Sequence, residues 1–219
     1  MLKSFSKKYI LKFSALIFIF FSIASCTHSS QDSNDYLYSI NKFNLNQSDA
    51  EGNKLFDLTS PSAIIDNVNK QIETSTANII IYNSKKPLYN IKSNSSKIND
   101  NGKIMYLDGN VKLQNIENKN IFIKSTKVEW HTQKSSINFL GDVFGNFNTT
   151  SIRSKRATYN LNLERITFYD IYDFNIISDN SRKKIFKVYA SSAIWDGKSG
   201  TFEFFTNDQP VKSQVFIPI

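Results

Sequence analysis

From Leu58 onward, apolar and polar positions alternate with the period of a β-strand, in short runs. Ile, Val, Phe, Tyr and Thr recur at every second residue, and clusters of Asn, Asp, Gly, Lys and Ser separate the runs. One stretch reads two ways. Ser60-Pro61 followed by Ala63, Ile64, Val68 and Ile72 fits an N-capped helix of about three turns. It also fits a strand in the repeat described next, and the repeat register favours the strand.

One pattern recurs five times: apolar-x-small-x-x-(small or Val)-x-(large apolar). Its copies are Leu58-x-Ser60-x-x-Ala63-x-Ile65, Ile91-x-Ser93-x-x-Ser96-x-Ile98, Ile123-x-Ser125-x-x-Val128-x-Trp130, Ile152-x-Ser154-x-x-Ala157-x-Tyr159 and Val188-x-Ala190-x-x-Ala193-x-Trp195. Successive copies start 33, 32, 29 and 36 residues apart. A second feature keeps register with the first. Sixteen residues after the leading position stand Leu107, Phe139, Phe168 and Phe204 in the last four copies, whereas Thr74 breaks the rule in the first. Two of these positions open the runs Leu107-x-Gly109-x-Val111 and Phe139-x-Gly141-x-Val143, and a third opens Phe168-x-Asp170-x-Tyr172.

Each copy is therefore expected to be one strand–turn–strand unit. In the second element of each unit the apolar side chains share parity: Met105, Leu107, Val111 and Leu113; Ile137, Phe139, Val143 and Phe147; Ile166, Phe168, Tyr172, Phe174 and Ile176. Side chains alternate between the faces of a strand, so each set lines one side of a sheet. Lys112, Asn138, Asp142, Thr167 and Asp173 take the other side. In the first element parity switches between Ile123 and the pair Val128 and Trp130, which predicts a bulge or bend at the small residue. Ten to twelve strands whose apolar faces all turn one way cannot bury them in a flat sheet. They must close into a two-layer roll or stack as a solenoid. The terminal strands, expected near residues 55–65 and 211–217, lie beside Pro61, Pro210 and Pro218, which limit uncontrolled strand addition.

The N-terminal end has a different composition. Lys3, Lys7, Lys8 and Lys12 precede an apolar run over 13–23, which ends at Ala24-Ser25-Cys26. This is the pattern of a bacterial lipoprotein signal over 1–25, with Cys26 as the lipid-attachment residue. A stray thiol in a simple membrane anchor is the plainer alternative. Cys26 is the only cysteine, so no internal disulfide forms. Residues 26–54, from the lipidated cysteine through a polar Ser/Asn/Asp/Gln stretch, are expected to be a flexible tether, and 55–219 the folded domain. The formal charge of +8 falls to +4 once the four signal lysines are removed. That is mild for a nucleic-acid binder, and none is expected as partner.

Catalytic materials are scarce, and neither an enzyme, a metal site nor a cofactor is expected. Only two histidines occur, His28 in the tether and His131 at a strand end. Asp108 and Asp142 are read as turn residues at equivalent positions rather than as a carboxylate pair. The clusters Arg153-Lys155-Arg156 and Arg182-Lys183-Lys184 are either solvated loops or phosphate contacts at a groove mouth.

The segments Pro87-Leu88-Tyr89-Asn90-Ile91-Lys92-Ser93, Leu107-Asp108-Gly109-Asn110-Val111 and Val128-Glu129-Trp130, in this order, resemble the OstA-like family of lipopolysaccharide-export bridge proteins, with its LptC-type and LptA-type periplasmic members. The resemblance covers about residues 55–219. It implies an all-β fold, an open, V-shaped β-jelly roll of two sheets that shields lipid acyl chains. It further implies lipopolysaccharide as ligand, with an inner-membrane ABC exporter and other bridge β-jelly-roll proteins as partners. On this reading the groove candidates are Leu107, Val111, Leu113, Val128, Trp130, Phe139, Val143, Phe147, Tyr159, Phe168, Tyr172, Phe174, Trp195 and Phe204. Export and the lipid anchor would place the chain in the periplasm on a membrane. The family implies the inner membrane, while Thr27 after the cysteine leaves the outer one open. A structural envelope lipoprotein that uses the repeat as a scaffold, without lipid, is the alternative function.

Overall fold

The computed structural model describes residues 37–83, 85–176, 188, 190–206 and 209–211. Among them there is no α-helix. The strands are β1 (Leu37–Ser48), β2 (Lys54–Asp66), β3 (Gln71–Thr74), β4 (Ala77–Asn83), β5 (Lys86–Ser93), β6 (Ser95–Asn99), β7 (Ile104–Asn115), β8 (Ile121–His131), β9 (Ser136–Phe147), β10 (Thr150–Asn160), β11 (Arg165–Ile176), β12 (Ser192–Asp196), β13 (Thr201–Thr206) and β14 (Gln209–Pro210). All fourteen belong to one antiparallel sheet. β3 and β4 lie end to end against β2, and β5 and β6 lie end to end against β7. The sheet is thus a meander of long strands, each interrupted near its middle.

The interruptions line up, and they explain the repeat. On one set of strands the device is the small residue of the pattern. The Ser60, Ser93, Ser125 and Ser154 hydroxyls donate to the carbonyls of Ser62, Ser95, Lys127 and Arg156 at 2.7, 2.9, 3.0 and 2.9 Å. Each buried serine ties down a carbonyl two residues on, which bends the strand. On the alternate strands the device is positive φ, at Gly109 and Asn110, at Gly141 and Asp142, and at Asp170. Register shifts fall at these positions between β7 and β8, β8 and β9, β9 and β10, and β10 and β11. A bulge bends its strand and increases local twist, so adjacent bulges add up to a crease across the sheet. The expected bulge at the small residue is found.

The turn reading is corrected at the same place. Gly109 and Gly141 lie in mid-strand, in β7 and β9, and so do Asp108 and Asp142. The two aspartates are not equivalent, since Asp108 precedes its glycine and Asp142 follows it. The true reversals lie elsewhere, for example at the 3₁₀ turn Thr132–Lys134 between β8 and β9.

The crease folds the sheet onto itself. Phe56 of β2 meets Trp130 of β8 with ring centroids 5.1 Å apart, and Tyr89 of β5 meets Tyr159 of β10 at 5.4 Å. Neither pair sits on neighbouring strands, so the two halves of the sheet face each other as layers. In one layer a cross-strand row runs Ile98, Met105, Trp130, Ile137, Tyr159, Ile166, Trp195. The next row runs Leu107, Val128, Phe139, Ala157, Phe168, Ala193, Phe204, with large and small side chains alternating across the later strands. The second small position of the pattern, Ala157 or Ala193, therefore makes room for the rings at the sixteen-residue offset. In the facing layer Leu58, Ile79, Ile91, Leu113, Ile123, Gly145, Ile152 and Phe174 form the matching row. Gly145 has no side chain because a Cβ there would stand 2.7 Å from Phe147 and 3.0 Å from Ile152 and Phe168.

The fold is all-β and a two-layer roll of repeated strand pairs, as expected, and the stretch around Ser60-Pro61 is strand β2, as the repeat register favours. Two local readings change. Residues 37–48, read as tether, form β1 along the full length of β2. Consequently β2 is covered on both sides, and the edge expected at residues 55–65 is instead β1. Cys26, His28, Arg182-Lys183-Lys184 and residues 212–219, including Pro218, lie outside the described residues.

Candidate functional site

The interior of the roll is closed by the crease along one side. On the other side, the strand ends of the two layers come together as a mouth. Leu107, Val111, Leu113, Val128, Trp130, Phe139, Val143, Phe147, Tyr159, Phe168, Phe174 and Trp195 are all buried in this interior. They pack against one another rather than against an open channel, and Phe139, Val143, Tyr159 and Phe168 are 0% exposed. Phe204 is partly buried against the same core. Together Phe147, Phe168, Phe174, Trp195, Phe202 and Phe204 make an aromatic cluster with centroid separations from 4.5 to 6.1 Å.

Tyr172 is a correction. It is 56% exposed, and its hydroxyl donates to Asp142 on the outer face. The cause is the bulge at Asp170, after which Ile171, not Tyr172, pairs with Ser154 and packs on the core. The basic cluster is also placed away from the mouth. Arg153 lies 3.5 Å from Asp142 and Arg156 lies 3.8 Å from Asp170, so both bridge the outside of the crease. His131 is engaged by Glu129. Among the described residues no group of three or more His, Cys, Asp or Glu is arranged to hold a metal ion.

The strand reading did not single out Phe56, Ile79, Ile81 and Tyr89, which complete the interior from the N-terminal strands. The signal existed. Phe56 and Tyr89 each stand two residues before the leading position of a copy, on the same face of the strand.

At the mouth a cavity of about 500 Å³ opens between the layers. That is within the range of about 300–1,000 Å³ typical of ligand pockets. Leu55, Phe56, Ile81 and Leu88 line it from one layer and Trp130 and Leu161 from the other, with Asp49, Lys54 and Lys85 at the rim. The Lys54 ammonium donates to Asp57 at 2.7 Å, as does the Tyr82 hydroxyl. Burial works against the Asp57 carboxylate, but these two donors hold its pKa below the ordinary value. The Trp130 indole N–H is buried with no hydrogen-bond partner, and the buried Tyr159 hydroxyl lies beside Tyr89. Burial, then the neighbouring Tyr89, pushes the Tyr159 pKa far above the ordinary tyrosine value. Asn53, Tyr82, Asn83, Thr132, Ser135 and Asn162 complete the lining, so the cavity mixes polar and apolar side chains above the apolar core.

A creased antiparallel sheet folded onto an apolar core, with a cavity where its strand ends meet, defines a two-layer β-roll. The chain matches the family model described as "Lipopolysaccharide-assembly, LptC-related" over residues 9–139. That span is more than half of the chain, and the chain belongs to this family. A solved structure of LptH, described as "the LptA homologous periplasmic component of the conserved lipopolysaccharide transport device from Pseudomonas aeruginosa", is similar with a TM-score of 0.43 and 7% identity. The match covers 64% of this chain and 92% of that one. No curated protein matches the chain.

Proposed function

We propose that this chain is a periplasmic component of lipopolysaccharide transport that shields acyl chains between the two layers of its roll. Family membership supports the process. The observation that carries the site is the continuous apolar interior that reaches a 500 Å³ cavity at the mouth, beside Phe56 and Trp130. The energetic need is large: a twelve-carbon chain in water costs on the order of 10 kcal/mol at about 0.8 kcal/mol per CH₂. A carrier must supply matching apolar surface, and separation of the layers from the mouth inward would expose it. The other components of the export bridge and the inner-membrane exporter are the partners this reading implies, with docking through the exposed edge strand β1. There Leu37, Tyr38 and Ile40 stand open to solvent.

The test is a photo-crosslinker at Trp130 or Phe56 in cells. It should trap lipopolysaccharide, whereas one at Tyr106, on the outer face, should not. Mass spectrometry of the purified protein should find co-purified acylated lipid. The scaffold reading has one observation in its favour, namely that the interior is filled by its own side chains. Absence of lipid from both measurements, with a normally folded protein, would establish it. The lipid anchor at Cys26 belongs to the same proposal. Cys26→Ser should release the protein from the membrane or leave its signal uncleaved. Normal cleavage with firm membrane retention would refute the anchor.

A further inference from the structure

The outer face of β5, β7, β8, β9 and β10 carries a feature that the interior does not require. Lys92, Lys112 and Lys124 stand directly opposite one another on three adjacent strands, and the row continues through Phe144 to Arg153. Like charges in direct cross-strand positions oppose sheet pairing. Among the described residues none of the three lysines has a carboxylate partner, whereas Arg153 has Asp142. Burial, then Lys124 and Lys92, lowers the Lys112 pKa. Two rings are set among these cations. Phe122 and Phe144 are 5.9 Å apart, both half-buried on the outside of the sheet. The ammoniums of Lys112 and Lys124 lie 4.8 and 5.4 Å from the Phe122 ring, and the Arg153 guanidinium 4.9 Å from that of Phe144.

We infer that this face is a docking surface for an anionic phospholipid bilayer, with the lysines on headgroup phosphates and the two phenylalanines at the interfacial depth. Three points favour a bilayer over an acidic protein. The surface is a sheet face, with cations on successive strands at about 4.8 Å spacing, so it meets a plane of charges. Lysine stems beside half-buried rings can bury their methylenes while the ammoniums stay at the phosphates. Finally, only ten residues lie between Cys26 and Leu37, a reach of under about 40 Å. This last point rests on the proposed anchor. A chain held there keeps the patch near the membrane at high effective concentration, where a weak basic surface suffices. An anionic surface would also relieve the repulsion along the lysine row.

The experiment uses the full chain with p-benzoylphenylalanine introduced at Phe122, mixed with vesicles of phosphatidylcholine alone or with phosphatidylglycerol. Irradiation should give a lipid adduct in the anionic vesicles, at least ten-fold weaker in neutral vesicles or in 0.5 M salt. The triple variant K92Q/K112Q/K124Q should lower affinity for the anionic vesicles on the order of a hundred-fold, about five-fold for each cation. Its urea midpoint should be unchanged or higher, which separates loss of binding from loss of fold. Equal adducts in both vesicle types, no lipid adduct, or an adduct to protein only would each overturn the inference. Flotation of the chain with neutral vesicles, before and after Cys26→Ser, reports the anchor separately. If the anchor fails while the anion-dependent adduct persists, the patch stands without it.

Discussion

Trp130→Phe separates the cost of an orphaned polar atom from the benefit of a buried ring. Trp130 is 2% exposed, touches Phe56 and borders the mouth cavity. Its indole N–H has no acceptor. A buried donor without a partner costs about 1–3 kcal/mol. Phenylalanine removes that donor and keeps a ring, at a loss of about 1–2 kcal/mol in buried area and contacts. The two effects oppose, so unfolding free energy should change by no more than about 1 kcal/mol. Trp130→Ala, by contrast, should cost about 3–5 kcal/mol. Urea unfolding followed by far-ultraviolet circular dichroism measures both. If a bound lipid oxygen accepts the indole N–H, Trp130→Phe should weaken lipid binding about five-fold while the fold holds. A loss of 3 kcal/mol or more from Trp130→Phe would show that the N–H is satisfied in the folded protein and refute the reasoning.

Three further outcomes follow from other parts of the roll. Ser154→Ala removes the hydroxyl that holds the Arg156 carbonyl at 2.9 Å, in a side chain 0% exposed. Unfolding should become easier by about 1–3 kcal/mol, and a change below about 0.5 kcal/mol would mean that the crease does not depend on this bond. Gly145→Val forces a side chain among Phe147, Ile152 and Phe168, and chemical denaturation should show a loss of at least about 1–3 kcal/mol. Asp196 accepts hydrogen bonds from the Ser199 and Lys198 amides and from Arg165, and its pKa is lowered to about 2. Its contribution is therefore complete above about pH 4 and disappears as pH falls toward 2. Asp196→Asn should flatten that part of the stability–pH curve, so parallel curves for the two proteins would contradict the assignment.

Much of this architecture is legible in the chain because a strand writes its two faces in alternate residues. The repeat, the sixteen-residue partner position and the bulge at the small residue all follow from local pattern, and the structure pairs them as expected. Readings failed where a neighbour, not the local sequence, decides. Residues 37–48 look like tether because Asn, Gln and Ser are poor strand formers, yet β2 offers them a complete hydrogen-bonding edge. Tyr172 fits the apolar parity, but a single positive φ at Asp170 shifts the count by one and turns its ring to solvent.

The sequence by itself determined the strand-pair unit and the sets of side chains that must leave water, since both depend on spacing of two. It also carried the family, through motifs in fixed order. Only the tertiary structure decided that Gly109 and Gly141 bend strands instead of ending them, because a glycine at positive φ serves a bulge as well as a turn. Only the folded sheet brought Phe56 to Trp130 and Tyr89 to Tyr159, which makes one core from two faces. The row of Lys92, Lys112 and Lys124 is likewise invisible along the chain. Those residues stand 20 and 12 positions apart, and cross-strand register alone puts them side by side.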